Sequence, residues 1–339
     1  MPMNVSELLT AWPMRDAVHI EPIQQGINNH VWRVDAADGQ RYVLRVLPGS
    51  GDLPRVRFEA TLLDALSEKP LPFRLPLPLK SNSGDIVVSF ERETGSSTIA
   101  TLHPFLPGSK PDRNDSTRAA QAGTALAMLD TALAALAFQA VEQFQSSSPS
   151  GDGDQFHALR ADSLTAIEQL PVERDLSRRV RDLQAAVIEM TDDLFRRLPQ
   201  QLLHRDCGPG NMLVDASGIT AVLDFEFAGR DIRILDRCVA LSWWPVNLMG
   251  TGKEWEVIDG FGAAYVQDFP FLSEAELRAI PDLLRLRDAG SLTHRIGRYL
   301  AGLESDAVIE SRLKHSLWRE EWLSANQERL LDHVFSWTK

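Results

Sequence analysis

The sequence predicts an α+β protein with a small β-rich N-terminal lobe and a larger, mostly helical C-terminal lobe. Three observations lead to this prediction. The first hundred residues hold short β-type runs separated by turn residues, and the chain that follows is rich in Ala and Leu at helical spacing. The length of 339 residues also exceeds that of a typical single domain. We therefore expect one lobe over residues 1–106 and a second over residues 107–339.

The N-terminal lobe is expected to consist of strands around one helix. The runs "HVWRV" and "RYVLRVLP" flank "AADGQ", in which Asp38-Gly39 is a hairpin turn signal. Apolar residues at helical spacing predict a helix from Val56 to Leu66. Two further strands are predicted, one from Ile86 to Phe90 and one in "TIATLHPFLPG".

The C-terminal lobe is expected to be helical on both sides of one polar segment. One helix face recurs at spacings of four and three: Ala122, Leu126, Leu129, Leu133 and Leu136. The stretch "FQSSSPSGDGDQ" predicts a mobile surface loop, and a long helical region is predicted from Gln155 to Arg197. Ser273 and Glu276 form a capping-box signal before a further helix.

Composition excludes several classes of function. The net charge of −12 disfavours nucleic acid as a partner and is compatible with a cationic small substrate. No apolar run is long enough to span a bilayer, and the N-terminus lacks the pattern of a signal peptide. Cys207 and Cys238 fit neither a zinc site nor a disulfide framework. We expect a cytoplasmic protein with no membrane partner; the oligomeric state is not predicted.

The segment "LLHRDCGPGNMLVDASGITAVLDFEFAGRD", residues 202–231, concentrates oxygen-bearing side chains. Asn211 follows Asp206 by five residues across the loop "CGPG", and two β-type runs then flank a turn at residues 216–218. Because the second run ends at Asp224, the hairpin is expected to bring Asp224 to the same end as Asn211, facing Asp206. One of these side chains could act as a base, and two could hold Mg²⁺, which prefers carboxylate and amide oxygens. The alternative is that they are ordinary turn residues.

This arrangement resembles the catalytic and metal loops of the protein-kinase-like superfamily. Within it, "PGNMLVD…VLDFEFAG" is similar to the aminoglycoside phosphotransferase, choline kinase and type II homoserine kinase families, which have an "IDFE"-like run in place of DFG. The resemblance implies a protein-kinase-like bilobal fold, with Asp206 as catalytic base and with Asn211 and Asp224 as metal ligands. It also implies that Asp236, in "ILDRCVAL", braces the catalytic loop.

The same resemblance implies a nucleotide site in the N-terminal lobe, for ATP or GTP with Mg²⁺, and catalysis and substrate binding in the C-terminal lobe. Arg45 stands where protein kinases have Lys, and Glu59 is its expected partner. The full set of expected nucleotide-binding residues is Gly26, Asn29, Arg45, Glu59, His103 and Phe105. Taken without the resemblance, the Gly26 segment is a simple turn, Arg45 is an exposed strand residue, Glu59 is a solvated helix residue and His103 is a surface histidine. One departure is Asp130, where the family often has His.

The acceptor is expected to bind among the helices after Asp236. Trp243, Trp244 and Trp255 lie close to several acids (Glu254, Glu256, Asp259 and Asp268) and could hold a cation, although core packing and solvated acids are the favoured interpretation. Arg287, Arg295 and Arg298 could bind a substrate carboxylate or form ion pairs. Glu226 is left open between a metal contact and a solvated position.

The predicted activity is transfer of the γ-phosphate of ATP to a hydroxyl group of a small molecule, with Mg²⁺. Aminoglycosides, homoserine, choline-like amino alcohols and sugars all remain open as acceptors. The alternative is a catalytically silent nucleotide-binding regulatory module, which the Arg at residue 45 and the acid at residue 130 would suggest.

Overall fold

The computed structural model of the chain describes residues 4–14, 16–23, 30–48, 53–91, 97–136, 163–269 and 271–338. The chain divides into two compact units. The first comprises Met1–Ser109 and Thr220–Glu226, and the second comprises Lys110–Ile219 and Phe227–Lys339. The first unit contains a β-sheet and the second is mostly helical, so the predicted fold class is confirmed.

An antiparallel sheet forms the centre of the first unit. Its strands are β1 (Ala17–Pro22), β2 (His30–Ala36), β3 (Arg41–Pro48), β4 (Val88–Glu91) and β5 (Ser97–Pro104), in the order β1-β2-β3-β5-β4. The predicted hairpin is confirmed as β2 and β3, and Gly39 in its turn has φ +80°, which favours glycine. β4 begins at Val88, two residues later than predicted.

Two helices accompany this sheet. They are α1 (Val5–Leu9) and α2 (Leu53–Ser67), and α2 includes the helix predicted from the apolar spacing. The core of the unit is a cluster of buried apolar side chains: Leu8, Leu9, Trp12, Val34, Leu44, Val46, Ala100 and Leu102. Glu59 on α2 is also buried, and acids are rarely buried unless they are paired.

The second unit is built from α3 (Ser116–Ala134), α4 (Ser163–Glu168), α5 (Arg174–Arg197), α6 (Leu235–Trp243), α7 (Glu254–Asp268), α8 (Glu274–Arg278), α9 (Ile280–Leu300) and α10 (Asp306–Ser336). The capping box at the start of α8 is confirmed. The helical region predicted from Gln155 to Arg197 consists of two helices in its described part. The helix is interrupted between α4 and α5, where Pro171 lacks the backbone N–H that a continuous helix needs. The predicted loop of residues 144–155 lies outside the described residues.

The polar segment at residues 202–231 contains or borders four short strands. β6 (Gln200–Leu203) pairs antiparallel with β9 (Gly229–Ile232), and β7 (Met212–Asp215) pairs with β8 (Gly218–Val222). The second run of the predicted hairpin therefore ends at Val222 rather than at Asp224. Asp224 has φ +66°, a left-handed conformation that cannot continue a strand.

The longest helices carry charge along their length. α5 has 24 residues and α10 has 31, and both contain Arg and Glu or Asp in most turns. Within the described ranges, no helix combines the length and the apolar content needed to cross a membrane.

Helices α3 and α7 of the second unit pack closely enough that a glycine is required at their contact. A Cβ atom built on Gly123 of α3 would lie 2.3 Å from the carbonyl oxygen of Phe261 and 3.1 Å from the amide nitrogen of Tyr265 on α7. Both neighbours are backbone atoms, which cannot move without separating the helices.

We predict that Gly123→Ala destabilises the protein by about 2 kcal/mol or more, because the clash outweighs the better helix propensity of Ala. Urea unfolding of both proteins measures the difference. The control is Thr131→Ala on the exposed face of the same helix, which should change stability by less than about 0.5 kcal/mol. Equal stability of Gly123→Ala and the parent protein would show that the helices are further apart than described.

Candidate active site

The loop that follows β6 presents the predicted catalytic residue. Residues 204–208 lead from β6 into a 3₁₀ turn, Pro209–Asn211, which runs directly into β7. Arg205 has φ +69°, a conformation that is uncommon for a residue with a side chain. The backbone is therefore held in an unfavourable state immediately before Asp206, and neighbouring groups must stabilise it.

Asp236, at the start of α6, supplies part of that stabilisation. Its Oδ2 accepts a hydrogen bond from the amide of His204 at 2.7 Å, and its Oδ1 accepts one from the amide of Arg205 at 2.6 Å. The side chain of Arg205 forms an ion pair of 3.1 Å with Asp231 of β9. These contacts agree with the expectation that Asp236 braces the loop.

His204 is structural in this loop. Its ring is fully buried, and its Nδ1 accepts a hydrogen bond from the amide of Asp206 at 3.2 Å. The imidazole thus fixes the backbone of the residue beside it.

Asp206 and Asn211 are in direct contact. The amide nitrogen Nδ2 of Asn211 donates to the Asp206 carboxylate at 2.8 Å and to the Asp206 carbonyl at 2.9 Å. The five-residue spacing therefore closes a loop in which one carboxylate oxygen is held by an amide. With Nδ2 occupied, the amide oxygen of Asn211 is the atom suited to a cation, and a carboxylate at residue 206 can accept a proton.

Arg45 is the centre of an acidic cluster in the first unit. Its Nη1 donates to Glu59 of α2 at 2.6 Å, and its Nη2 donates to Glu226 at 3.2 Å. Asp224 lies 3.8 Å from the same Nη2. Burial acts to lower the pKa of Arg45, but the three carboxylates more than offset it, so the guanidinium stays charged.

This cluster has more carboxylates than cationic groups. Three carboxylates surround one guanidinium, and Asp224 is the most exposed of them, with 38% of its side-chain surface accessible. Among the described residues, no three His, Cys, Asp or Glu side chains form a metal cluster of their own. An amide and a carboxylate as the protein ligands, completed by phosphate and water oxygens, are typical of Mg²⁺ in phosphotransfer sites.

The remaining nucleotide-site predictions have different outcomes. Gly26 and Asn29 lie outside the described residues. His103 is buried within β5, where its Nδ1–H donates to the carbonyl of Pro76 at 2.7 Å and its Nε2 lies 2.9 Å from Thr101 Oγ1. The backbone N–H of Phe105 donates to the carbonyl of Arg41, so that N–H is already used inside the unit.

One arginine lies beside the catalytic loop. Trp243 at the end of α6 packs on Gly208, where an added Cβ would lie 3.0 Å from its ring, and the guanidinium of Arg287 on α9 lies 4.8 Å from the centre of that ring. Burial lowers the pKa of Arg287, and the charges of Asp288 and Asp206 act in the opposite direction. Arg287 forms no ion pair with any residue that the structure describes.

Other arginines of the same helix are paired. Arg285 binds Glu320, and Arg295 and Arg298 both bind Glu304 at 2.5 and 3.0 Å. Of the two interpretations considered for these arginines, ion pairing applies to Arg295 and Arg298. Arg287 instead lies beside the catalytic loop.

The aromatic cluster is mostly core. Trp244 is fully buried, and Trp255 is stacked between Trp322 and His333. Glu256 and Asp268 are exposed, whereas Glu254 and Asp259 accept hydrogen bonds from their neighbours. Core packing therefore holds for Trp244 and Trp255, and the solvated-acid interpretation holds for Glu256 and Asp268. It fails for Glu254, which is buried, and for Asp259, which is partly buried.

A model of the phosphotransferase enzyme family matches residues 19–275, most of the chain. The chain belongs to the phosphotransferase enzyme family. The predicted family and the prediction of an enzyme are thereby confirmed.

Known proteins similar to this phosphotransferase share its length and fold. A homoserine kinase of Methylobacillus flagellatus is 26% identical over 339 residues, which cover 95% of each chain. A microcompartment-associated aminopropanol kinase superimposes with a TM-score of 0.68 at 19% identity, covering 96% of this chain and 98% of the other. An amicoumacin kinase in complex with AMP-PNP and Ca²⁺ gives a TM-score of 0.64 at 18% identity, with 91% of each chain covered.

These comparisons bear on the two functional alternatives. The phosphotransferase has the activity class of a small-molecule kinase, and the alternative of a catalytically silent module is not favoured. Asp206, Asn211 and Asp224 as base and metal ligands stay predictions, as does their convergence on one ion.

Two contacts in the phosphotransferase were not foreseen from the sequence. Glu226 binds Arg45, and only its place two residues after Asp224 could have suggested this. The Lys110 ammonium donates to the carbonyl of Gly210 in the catalytic loop, across a hundred residues of chain. A lone Lys in a polar stretch gives no sequence signal for such a contact.

We predict that His103 makes the stability of the folded protein decrease as pH falls below the ordinary pKa of histidine. Burial and then the charge of Arg45 lower the pKa of His103 from 6.5 to about 3, so the folded protein resists a proton that the unfolded chain accepts. The contribution of His103 is complete above the unfolded pKa and is lost as pH falls towards about 3, by up to about 1.4 kcal/mol per pH unit.

Urea unfolding of the parent protein and His103→Asn over this range of pH measures the effect, since Asn retains a donor for Pro76 and cannot titrate. The parent protein should lose stability relative to the variant as pH falls. The same substitution at His19, whose ring is 54% exposed, is the control. A parallel pH dependence of the parent and His103→Asn would contradict the prediction.

Proposed function

We propose that this enzyme transfers the γ-phosphate of ATP, with Mg²⁺, to the side-chain hydroxyl of a small amino acid of the homoserine type. The observation that carries the proposal is the contact between Asp206 and Asn211 on a braced loop beside Trp243 and Arg287. The similarity to a homoserine kinase over 95% of both chains supports the acceptor.

The proposed chemistry is an in-line displacement. Asp206 accepts the proton of the acceptor hydroxyl, and the oxygen bonds to the γ-phosphorus. The bond between that phosphorus and the β–γ bridging oxygen breaks, and ADP leaves. Mg²⁺, held by Asn211 and Asp224, would offset the negative charge of the phosphate oxygens.

In the proposed nucleotide site, Arg45 is oriented by Glu59 and Glu226. A guanidinium held by two carboxylates presents its remaining N–H groups in a fixed direction, which suits it to phosphate oxygens. We assign nucleotide binding to residues 1–106, through Gly26, Asn29, Arg45, Glu59, His103 and Phe105. Catalysis and acceptor binding are assigned to residues 107–339. ATP is the proposed donor, and GTP is the competing nucleotide.

The proposed contact for the acceptor carboxylate is Arg287. It is partly exposed, and it has no carboxylate partner in the described part of the chain. The negative charge of Asp206 acts to raise its pKa. A partly desolvated guanidinium without a counter-ion favours an anionic group, and bidentate Arg–carboxylate pairing would orient the acceptor. An amino alcohol, which lacks the carboxylate, would gain nothing from this residue.

We predict that Asp206→Asn lowers kcat for homoserine phosphorylation by on the order of 1,000-fold, because the amide cannot accept the hydroxyl proton. A coupled assay of ADP release measures this. Thermal stability and the stabilisation by ATP with Mg²⁺ should stay close to those of the parent protein, because the loop contacts are retained. Turnover near the parent rate in a folded Asp206→Asn protein would refute the assignment of the base.

We predict that Arg287→Met raises KM for homoserine about 10- to 100-fold, since the carboxylate loses a charged hydrogen-bond partner. KM for ATP should stay unchanged. Measuring kcat/KM for homoserine and for aminopropanol in the same variant isolates the carboxylate, because only homoserine should be affected.

Arg285→Met is the matched control, two residues earlier on α9. Arg285 binds Glu320, so this variant should lose stability while keeping KM for homoserine. If Arg287→Met weakens both acceptors equally, or if aminopropanol is the better substrate of the parent protein, the proposed acceptor class is wrong.

A further inference from the structure

Two acids are buried together beneath the catalytic loop. Asp130, on α3, and Asp236, on α6, are both fully inaccessible to solvent. The Asp130 carboxyl also accepts a hydrogen bond of 2.7 Å from the hydroxyl of Tyr265 on α7. Burying one carboxylate without a cation is costly, and burying two ionised carboxylates in contact is far more so.

The hydrogen-bond donors available to this pair are too few for two charges. Both oxygens of Asp236 are occupied by the backbone amides of His204 and Arg205. Asp130 Oδ2 has the Tyr265 hydroxyl, whereas Asp130 Oδ1 has no donor among the described residues. The two carboxyl groups are nevertheless within hydrogen-bonding reach of each other. Such a contact requires a hydrogen atom between the two oxygens.

The surroundings indicate which acid carries the hydrogen. Two amide N–H bonds favour the ionised form of Asp236, and Asp130 has a single tyrosine hydroxyl. A proton on Asp130 Oδ1 satisfies the atom that otherwise has no donor. Burial, followed by the charge of Asp236, raises the pKa of Asp130 well above its ordinary value. Burial also raises the pKa of Asp236, but the charge of His204 and the two amide hydrogen bonds act in the opposite direction, so Asp236 is the acid that keeps the charge.

We propose that Asp130 is protonated at neutral pH, donates a hydrogen bond to Asp236, and thereby acts as a positioning residue for the loop that carries Asp206. The pair then holds a single negative charge, which the two loop amides stabilise. Removal of the proton would place two carboxylates against each other, and Asp236 could keep its amide contacts only against that repulsion. The inference rests on the proposed function only in treating Asp206 as the base.

Other titratable groups around the pair do not supply this proton. The pKa of the Cys207 thiol in the loop is raised by burial and then by Asp236 and Asp130, so it stays neutral. Burial and Asp130 likewise raise the pKa of Tyr265. On α6, the Arg237 guanidinium lies on the rings of Tyr265 and Trp337, and burial lowers its pKa to about 10. The neighbouring Cys238 has a pKa raised by burial to about 12. His204 donates its backbone amide to Asp236, and the charge of its ring acts to lower the pKa of Asp236.

The direction of the pH dependence follows from the raised pKa. The folded protein holds a proton that the unfolded chain releases above its ordinary carboxyl pKa of 3.8. The stabilising contribution is therefore complete at low pH and is lost as pH rises towards the pKa of the folded state. This sign is opposite to that of His103.

The test uses Asp130→Asn, in which an amide N–H permanently replaces the acid O–H. Infrared spectroscopy of the parent protein at neutral pH should show the C=O stretch of a neutral carboxylic acid, and Asp130→Asn should lack it. Asp231→Asn is the matched control, since Asp231 is equally buried but is ion-paired with Arg205, and this variant should retain the band. As pH rises above 3.8, the parent protein should lose stability relative to Asp130→Asn.

Measurements of kcat test whether Asp130 positions the catalytic loop. Asp130→Ala should lower kcat on the order of 100-fold with little change in KM for the nucleotide, and Asp130→Asn should recover most of that loss. The parent protein should also lose kcat at alkaline pH more steeply than Asp130→Asn does. If Asp130→Asn does not fold, loss of the infrared band from the parent protein as pH rises replaces the comparison.

Absence of the neutral-acid band in the parent protein overturns the inference, as does an identical pH dependence of stability in the parent and Asp130→Asn. If Asp130→Asn lowers kcat as much as Asp130→Ala does, the positioning role of Asp130 is overturned. The spectroscopic and stability measurements need no substrate. A band that is lost in Asp130→Asn, in a protein that phosphorylates none of the acceptors, would uphold the shared proton and refute the proposed function.

Discussion

The position of the catalytic loop depends on one carboxylate that accepts two backbone hydrogen bonds. Asp236 binds the amides of His204 and Arg205, the two residues immediately before Asp206. Arg205 has a left-handed conformation, which costs on the order of 1–3 kcal/mol for a residue with a side chain. Hydrogen bonds to a charged acceptor contribute about 1.5–3 kcal/mol each, so this pair is large enough to hold that conformation. The side chain of Asp206 is thus positioned by a residue on another helix.

Local signals predicted much of the fold because the interactions that produce them lie within a few residues. The turn at Asp38-Gly39 requires a positive φ, and the capping box of Ser273 and Glu276 closes within one helical turn. The errors occurred at boundaries where one residue outweighs the pattern. Pro171 interrupts a run that is otherwise helical in composition, and the φ of Asp224 ends a strand that its apolar neighbours would continue.

The candidate site was predictable where its residues are close in sequence and not where they are distant. Asp206 and Asn211 contact each other because a five-residue loop leaves them little alternative. The bond between Asp130 and Tyr265 joins residues 135 positions apart, and nothing in the sequence of either helix marks the two as partners. Pattern analysis identifies such residues as unusual, but it cannot identify their partners, since the partner depends on how α3 and α7 pack.

The arginines of this acidic chain differ in the number of their carboxylate partners. Arg45 has three carboxylates around it and is held in one orientation, whereas Arg287 has none among the described residues and keeps its capacity for a ligand. For the buried acids beneath the loop, the number of hydrogen-bond donors is decisive. Two amides have the capacity to stabilise one carboxylate, and Asp236 takes both of them. A second acid can occupy the adjacent position only in its neutral form, in which it becomes a donor and adds to the support of the loop instead of competing for it.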